Sequence, residues 1–136
     1  MKKLIALILI AVSLFTLTIP AFAAAVQPET PAEPEATYLS QCDATLSINS
    51  GVATCTGEIA TDSTYRIKVT VWLQRANGTA WDGVMAWEQS GYGSVELTRT
   101  HEVDRGYTYR TYIIGYVYDA NGVILEGKTD WQIINY

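Results

Sequence analysis

The chain is poor in the residues on which reactive sites are usually built. It holds one histidine and two cysteines among 136 residues. His101 cannot form a zinc-type histidine pair alone, and Cys42 and Cys55 lack the further Cys or His ligands of a metal cluster. No Gly-x-Ser-x-Gly or phosphate-loop pattern occurs. Gly91-Tyr92-Gly93-Ser94 reads as a turn, without the Lys and the following helix that a phosphate cradle needs. These absences argue against an enzyme, a metal or a cofactor; the single Asx-rich turn at Asp119 and Asn121 is a minor calcium alternative. Proline and phenylalanine are scarce in a telling way. Pro20, Pro28, Pro31 and Pro34, with Phe15 and Phe22, all precede residue 35. From Tyr38 onward the large aromatics are only Trp and Tyr, rings with a polar handle that suit half-buried sheet faces. Helical periodicity is missing there as well.

What is present divides the chain in three. Residues 1–23 carry Lys2 and Lys3, an apolar run from Leu4 to Ile19, the breaker Pro20 and the small-x-small triplet Ala21-Phe22-Ala23. This is the layout of a cleaved secretory signal peptide, which implies a secreted, extracellular protein that is not membrane-embedded after cleavage. Residues 24–37 place Pro28, Pro31 and Pro34 at the period of a polyproline II helix, interleaved with Glu29, Glu33 and Glu35. That composition predicts an extended, solvated linker. Without the leader the chain keeps seven Lys and Arg against fourteen Asp and Glu, a net charge of −7. Such an acidic chain is a poor nucleic-acid ligand.

Residues 38–136 alternate. Ile67, Val69, Val71 and Leu73 share one parity with Tyr65, against Arg66, Lys68, Thr70 and Gln74. This is the mark of a strand with one buried face. Cys42, Ala44, Leu46 and Ile48, then Ala53, Cys55, Gly57 and Ile59, flank Asn49-Ser50-Gly51 as a hairpin. In an exported domain its two cysteines are expected to form a disulfide, closing a loop of about a dozen residues and contributing on the order of 3 kcal/mol. Further strands are expected at 81–88, 94–103, 107–119 and 123–134. About seven strands separated by turn signals predict an all-β, antiparallel immunoglobulin-like β-sandwich, with a small closed β-barrel as the alternative.

The richest stretch is Arg105–Gly122, with Tyr107, Tyr109, Tyr112, Tyr116 and Tyr118. Val103, Gly106, Tyr109, Thr111 and Ile113 have a spacing that resembles the tyrosine corner of fibronectin type III domains. The resemblance implies a structural role for the Tyr109 hydroxyl, capping backbone where the chain changes sheets; Arg105 stands where that family often has Pro. Leu73-Gln74-Arg75, Trp81, Trp87 and Gly106-Tyr107-Thr108-Tyr109-Arg110 also resemble a family of small secreted proteins of Gram-positive bacteria, a domain of unknown function. This resemblance implies an extracellular bacterial protein with an Ig-like fold and carries no site with it.

With Tyr109 inward, Thr111, Ile113, Gly115 and Val117 follow it, and Arg110, Tyr112, Tyr116 and Tyr118 turn outward. If the third and sixth strands are neighbours, one outer face gathers Trp72, Tyr112 and Tyr116 with Arg66, Lys68 and Arg110. This is the candidate binding face, suited to an extracellular glycan or protein. The same residues are also what cross-strand packing requires. Trp81 and Trp87, six apart, share a face if their strand is regular, and Trp131 is expected to pack. A structural or self-assembling protein, and a bacteriocin-like peptide, are the alternative functions.

Overall fold

Alternating sequence becomes strand throughout the residues that the computed structural model describes, 37–62 and 64–136. The expected leader, and the expected linker up to residue 36, lie outside the described residues. Seven strands follow one another: β1 (Leu39–Asn49), β2 (Val52–Thr61), β3 (Arg66–Asn77), β4 (Ala80–Tyr92), β5 (Ser94–Glu102), β6 (Thr108–Tyr118) and β7 (Ile124–Asn135). All pair antiparallel, in a three-stranded sheet β1-β2-β5 and a four-stranded sheet β4-β3-β6-β7. The two sheets face each other as a β-sandwich, and no closed barrel forms. β4 pairs with β3, whereas the fourth strand of a constant-type immunoglobulin domain joins the opposite sheet.

The core is the inner parity of both sheets. Ile67, Val69, Val71 and Leu73 of β3 and Tyr109, Ile113 and Val117 of β6 pack against Leu46, Ala53, Cys55, Ile59, Val95 and Leu97. Two glycines set how closely the sheets approach. A Cβ on Gly57 would lie 2.6 Å from Val71 Cγ2, and one on Gly115 would lie 2.7 Å from Ile59 Cγ2. Where β5 hands over to β6, the buried Tyr109 hydroxyl donates to the Asp104 carbonyl at 3.1 Å and accepts from its N–H at 3.2 Å. One side chain thus satisfies both backbone groups of a residue that has left the ladder.

The expected disulfide is absent: Cys42 and Cys55 are unbonded. The hairpin forms, but its register pairs Cys42 with Ile59 and Cys55 with Leu46. Four residues of offset separate the two by about 13 Å along the strands, well beyond the ~7 Å limit between Cα atoms of a bridge. The turn at Ser50-Gly51 fixes that register, and cysteine spacing alone does not reveal it. Burial pushes both thiols above their ordinary range. The Gly115 backbone opposes the shift at Cys42, and the Thr111 hydroxyl opposes it at Cys55.

The last strand inverts the usual pattern. Glu126, Lys128, Asp130 and Gln132 lie on the parity that β6 buries, because their partners are Val117, Gly115, Ile113 and Thr111. Each reaches across to the free backbone edge of β1. Glu126 Oε2 accepts from the Tyr38 and Leu39 N–H groups at 2.5 and 2.7 Å, and Lys128 Nζ donates to the Leu39 carbonyl at 2.7 Å. Asp130 Oδ2 accepts from Ala44 N–H at 2.8 Å, and Gln132 Oε1 from Leu46 N–H at 2.7 Å. This clasp supplies side-chain partners to edge groups that would otherwise invite another strand. Burial alone would raise the Glu126 carboxyl. The Leu39 and Tyr38 amides and Lys128 outweigh it and hold the group below the ordinary carboxylate range.

Two outcomes follow from this geometry. Thiol reagent should label both cysteines of the unfolded chain without prior reduction, while Cys55 stays protected in the folded one. An intact mass lower by the hydrogens lost on oxidation would contradict the register. Glu126→Ala should cost about 1.5–3 kcal/mol at neutral pH, the range for hydrogen bonds to a charged group. Because the folded carboxyl is depressed, its contribution is complete above the unfolded value and is lost as pH falls through the folded one. Denaturant unfolding of variant and native protein at several pH values should therefore converge in acid.

Candidate binding face

The β3–β6 register decides which side chains share the outer surface of the four-stranded sheet. Arg66 lies opposite Tyr118, Lys68 opposite Tyr116, Thr70 opposite Ile114, Trp72 opposite Tyr112, and Gln74 opposite Arg110. The six candidate residues, Arg66, Lys68, Trp72, Arg110, Tyr112 and Tyr116, therefore occupy one face. β4 and β7 extend each row outward. The Trp72–Tyr112 row runs from Ala86 to Trp131, and the Lys68–Tyr116 row from Ser90 to Gly127.

Two tryptophans depart from the sequence reading. Leu73 pairs with Met85 and Gln74 with Gly83, so β4 carries a bulge at Val84. The extra residue flips the parity beyond it. Trp87 pairs with Val71 and packs against the core, whereas Trp81 turns to the outer face. Trp131, expected to pack, stands 53 % exposed beside Tyr112, with Ile133 47 % exposed two residues on. Its outward parity follows from the inward Asp130 and Gln132. The signal in the sequence was the alternation Glu126, Lys128, Asp130, Gln132, which sets Thr129, Trp131 and Ile133 on the other side.

Rings and guanidinium groups pair repeatedly here. The Arg110 guanidinium lies 4.3 Å from the Trp81 ring centre and 4.9 Å from that of Tyr112, and its Nε donates to Gln74 Oε1 at 2.7 Å. Arg66 lies 4.7 Å over Tyr118. Tyr112 and Trp131 sit 6.5 Å apart with an interplanar angle of 31°, a tilted platform. Tyr116 covers Gly127, where an added Cβ would come within 3.0 Å of the ring. Trp72 is the floor of this face, its Nε1–H buried without a partner among the described residues. Glu88 is the one carboxylate on the face. It pairs with Lys68 at 3.4 Å and accepts from the Thr70 hydroxyl at 3.1 Å. Neither Arg66 nor Arg110 pairs with a carboxylate among the described residues. At one end the face opens into a shallow cavity of about 620 Å³ lined by Tyr65, Arg66, Tyr92, Tyr118 and Asp119.

The outer face of the three-stranded sheet has the opposite character, which the sequence reading did not single out. Asp43 lies opposite Glu58, and Glu58 opposite Glu96, so three carboxylates stand side by side across β1, β2 and β5. The next row is Thr45, Thr56 and Thr98, with the last two hydroxyls 2.9 Å apart. Neither ion pair among the described residues involves this acidic row. The β1–β2 hairpin and the non-consecutive β2–β5 pairing bring together three residues that are far apart in sequence.

No model of a known protein family matches the chain, and no curated protein matches it significantly.

Directly opposed like charges destabilise a sheet, whereas opposite charges stabilise it by about 0.2–1 kcal/mol a pair. Glu58→Lys converts both contacts of the row. It should stabilise the fold on the order of 1 kcal/mol and raise Tm by about 4–8 °C for a domain of this size, measured by calorimetry at low ionic strength. An unchanged or lower Tm would show that the row carries no repulsion.

Proposed function

We propose that the chain is an exported, non-enzymatic binding module that engages an extracellular glycan or protein through the outer face of its four-stranded sheet. The leader-like residues 1–23 support export, as does the resemblance to small secreted Gram-positive proteins. The observation that carries the reading is the inversion of β7. Its polar parity is used on the β1 edge, which accounts for Glu126, Lys128, Asp130 and Gln132. The edge clasp does not require a half-exposed Trp131 and Ile133 on the opposite parity. Pairing with Tyr112 stabilises Trp131 by at most about 1 kcal/mol and leaves half of it in water.

The chemistry fits recognition. Flat rings stack on sugar faces and on protein side chains, and Trp, Tyr and Arg dominate interface hot spots. The guanidinium groups of Arg66 and Arg110 stack on rings and pair with no carboxylate among the described residues; Gln74 takes the Arg110 Nε–H, so Arg110 offers a ligand its two terminal NH2 groups.

The test uses purified peptidoglycan and a panel of extracellular proteins as probes. Trp131→Ala combined with Tyr112→Ala should weaken retention at least about tenfold, the scale of a lost hot spot, while the melting profile stays cooperative. Thr98→Ala with Thr100→Ala, on the opposite sheet, should leave retention intact. Full retention by the folded double variant would remove this face from the function.

A further inference from the structure

The two outer faces carry opposite charge, and neither is neutralised by the other described residues. One has Arg66, Lys68 and Arg110 against the single carboxylate Glu88. The other has Asp43, Glu58 and Glu96 in one cross-strand row, with Glu102 beyond it on β5 and no Lys or Arg on that parity. Within one molecule the sandwich core separates them. From this complementarity we infer that the partner of the basic, aromatic face is the acidic face of a second copy of this chain. The inference rests on the binding role proposed above and names the occupant of that same face.

Three properties of the faces shape the contact. Both are sheet surfaces built from antiparallel ladders, so they can lie one on the other. Strands spaced ~4.8 Å apart put the outer carboxylates of the row about 10 Å from each other. Arg66 and Lys68, alternate residues on one strand, stand about 7 Å apart with long side chains that reach across that row. The two surfaces differ from one another, so the contact is heterologous. A heterologous contact repeats head to tail, and it gives a ring if the rotation closes and an open filament if it does not.

The available area sets the strength. Three strands by nine paired residues make a face of roughly 400 Å², about half the ~800 Å² per partner of a stable complex. The association is therefore weak and concentration-dependent. Charge gives it an unusual salt response. Net negative charge acts at long range and repels copies at low ionic strength, where the Debye length reaches ~30 Å. At ~0.15 M the range shrinks to ~8 Å, and the face-to-face pairs outlast that repulsion. At 1 M the pairs themselves are screened.

Sedimentation velocity on the purified protein, from about 10 μM to 1 mM, reads this directly; the range brackets a weak contact. The native chain should show rising association with concentration, strongest near ~0.15 M salt and weaker at both 0.01 and 1 M. Arg66→Glu with Lys68→Gln should sediment as a monomer, and so should Glu58→Lys with Glu96→Lys. Their equimolar mixture should restore association and stop at a species of two chains, because each variant keeps one intact face. A native protein that stays monomeric across the range overturns the inference, as do variants that associate like the native chain, or association that grows steadily up to 1 M salt. Retention of the native chain on immobilised polygalacturonate separates the two levels. A monomer that is retained, and loses retention with Arg66→Glu and Lys68→Gln, overturns the second-copy partner and leaves the binding face standing. A monomer that is retained on neither polygalacturonate nor the peptidoglycan and protein probes removes both.

Discussion

Side chains alternate along a strand, so the unbroken ladder between Arg66–Arg75 and Tyr109–Tyr118 leaves no freedom once one parity is inside. Ile67, Val69, Val71 and Leu73 cannot be solvated together, and neither can Ile113 and Val117. A slip of one residue would expose both sets and bury Arg66, Lys68 and Arg110 without partners. The apolar core and the position of every ring on the outer face are thus consequences of a single register. Tyr109 pins that register at one end by capping Asp104. Gly57 and Gly115 let the opposite sheet come close enough to exclude water from it.

The edge of the sandwich imposes a second constraint, and it explains the composition of β7. A strand edge exposes backbone donors and acceptors, and proteins blunt it with charge, bulges or cover. β4 uses a bulge. β1 is covered by four side chains that reach it from β7. To deliver them, β7 turns its polar residues toward the interior side, so whatever occupies the alternate positions faces out. Gly127 and Thr129 there are unremarkable in size and polarity, but Trp131 and Ile133 are apolar and half exposed. The clasp dictates their direction but not their chemistry, and of the two Trp131 has a ring partner across the strands in Tyr112.

How much of this was legible in the sequence depends on whether a feature is set by local alternation or by register between strands. β2, β3 and β6 are regular, and the inward and outward sets read from Ile67 onward and from Tyr109 onward are the observed ones. The cysteine pairing failed because Cys42 and Cys55 satisfy alternation equally well in or out of register, and the Ser50-Gly51 turn makes the choice. Trp81 and Trp87 parted company at a one-residue bulge with no strong sequence mark. Trp131 misled because an apolar residue need not be inside. The informative pattern lay in its polar neighbours, since buried polar groups require partners whereas exposed apolar ones do not. The acidic row is non-local, assembled from three strands, and no window of sequence contains it.

Net charge is a weak guide to what such a molecule binds. The acids outnumber the bases, which argues against anionic partners if the chain is treated as a point charge. The charges are not spread evenly. Sheet-to-sheet packing sets the two backbone layers ~10 Å apart, and outward side chains add to that distance. At physiological salt the screening length is ~8 Å, so the acidic face exerts little field at Arg66 or Arg110. Each face then meets a partner as its own local charge, and the basic one can hold an anion that the whole chain would repel in dilute buffer. The alternation that places β3 and β6 also keeps the charges apart. Outward positions on opposite sheets cannot touch, so acids and bases sorted between the two faces remain available for contacts between molecules.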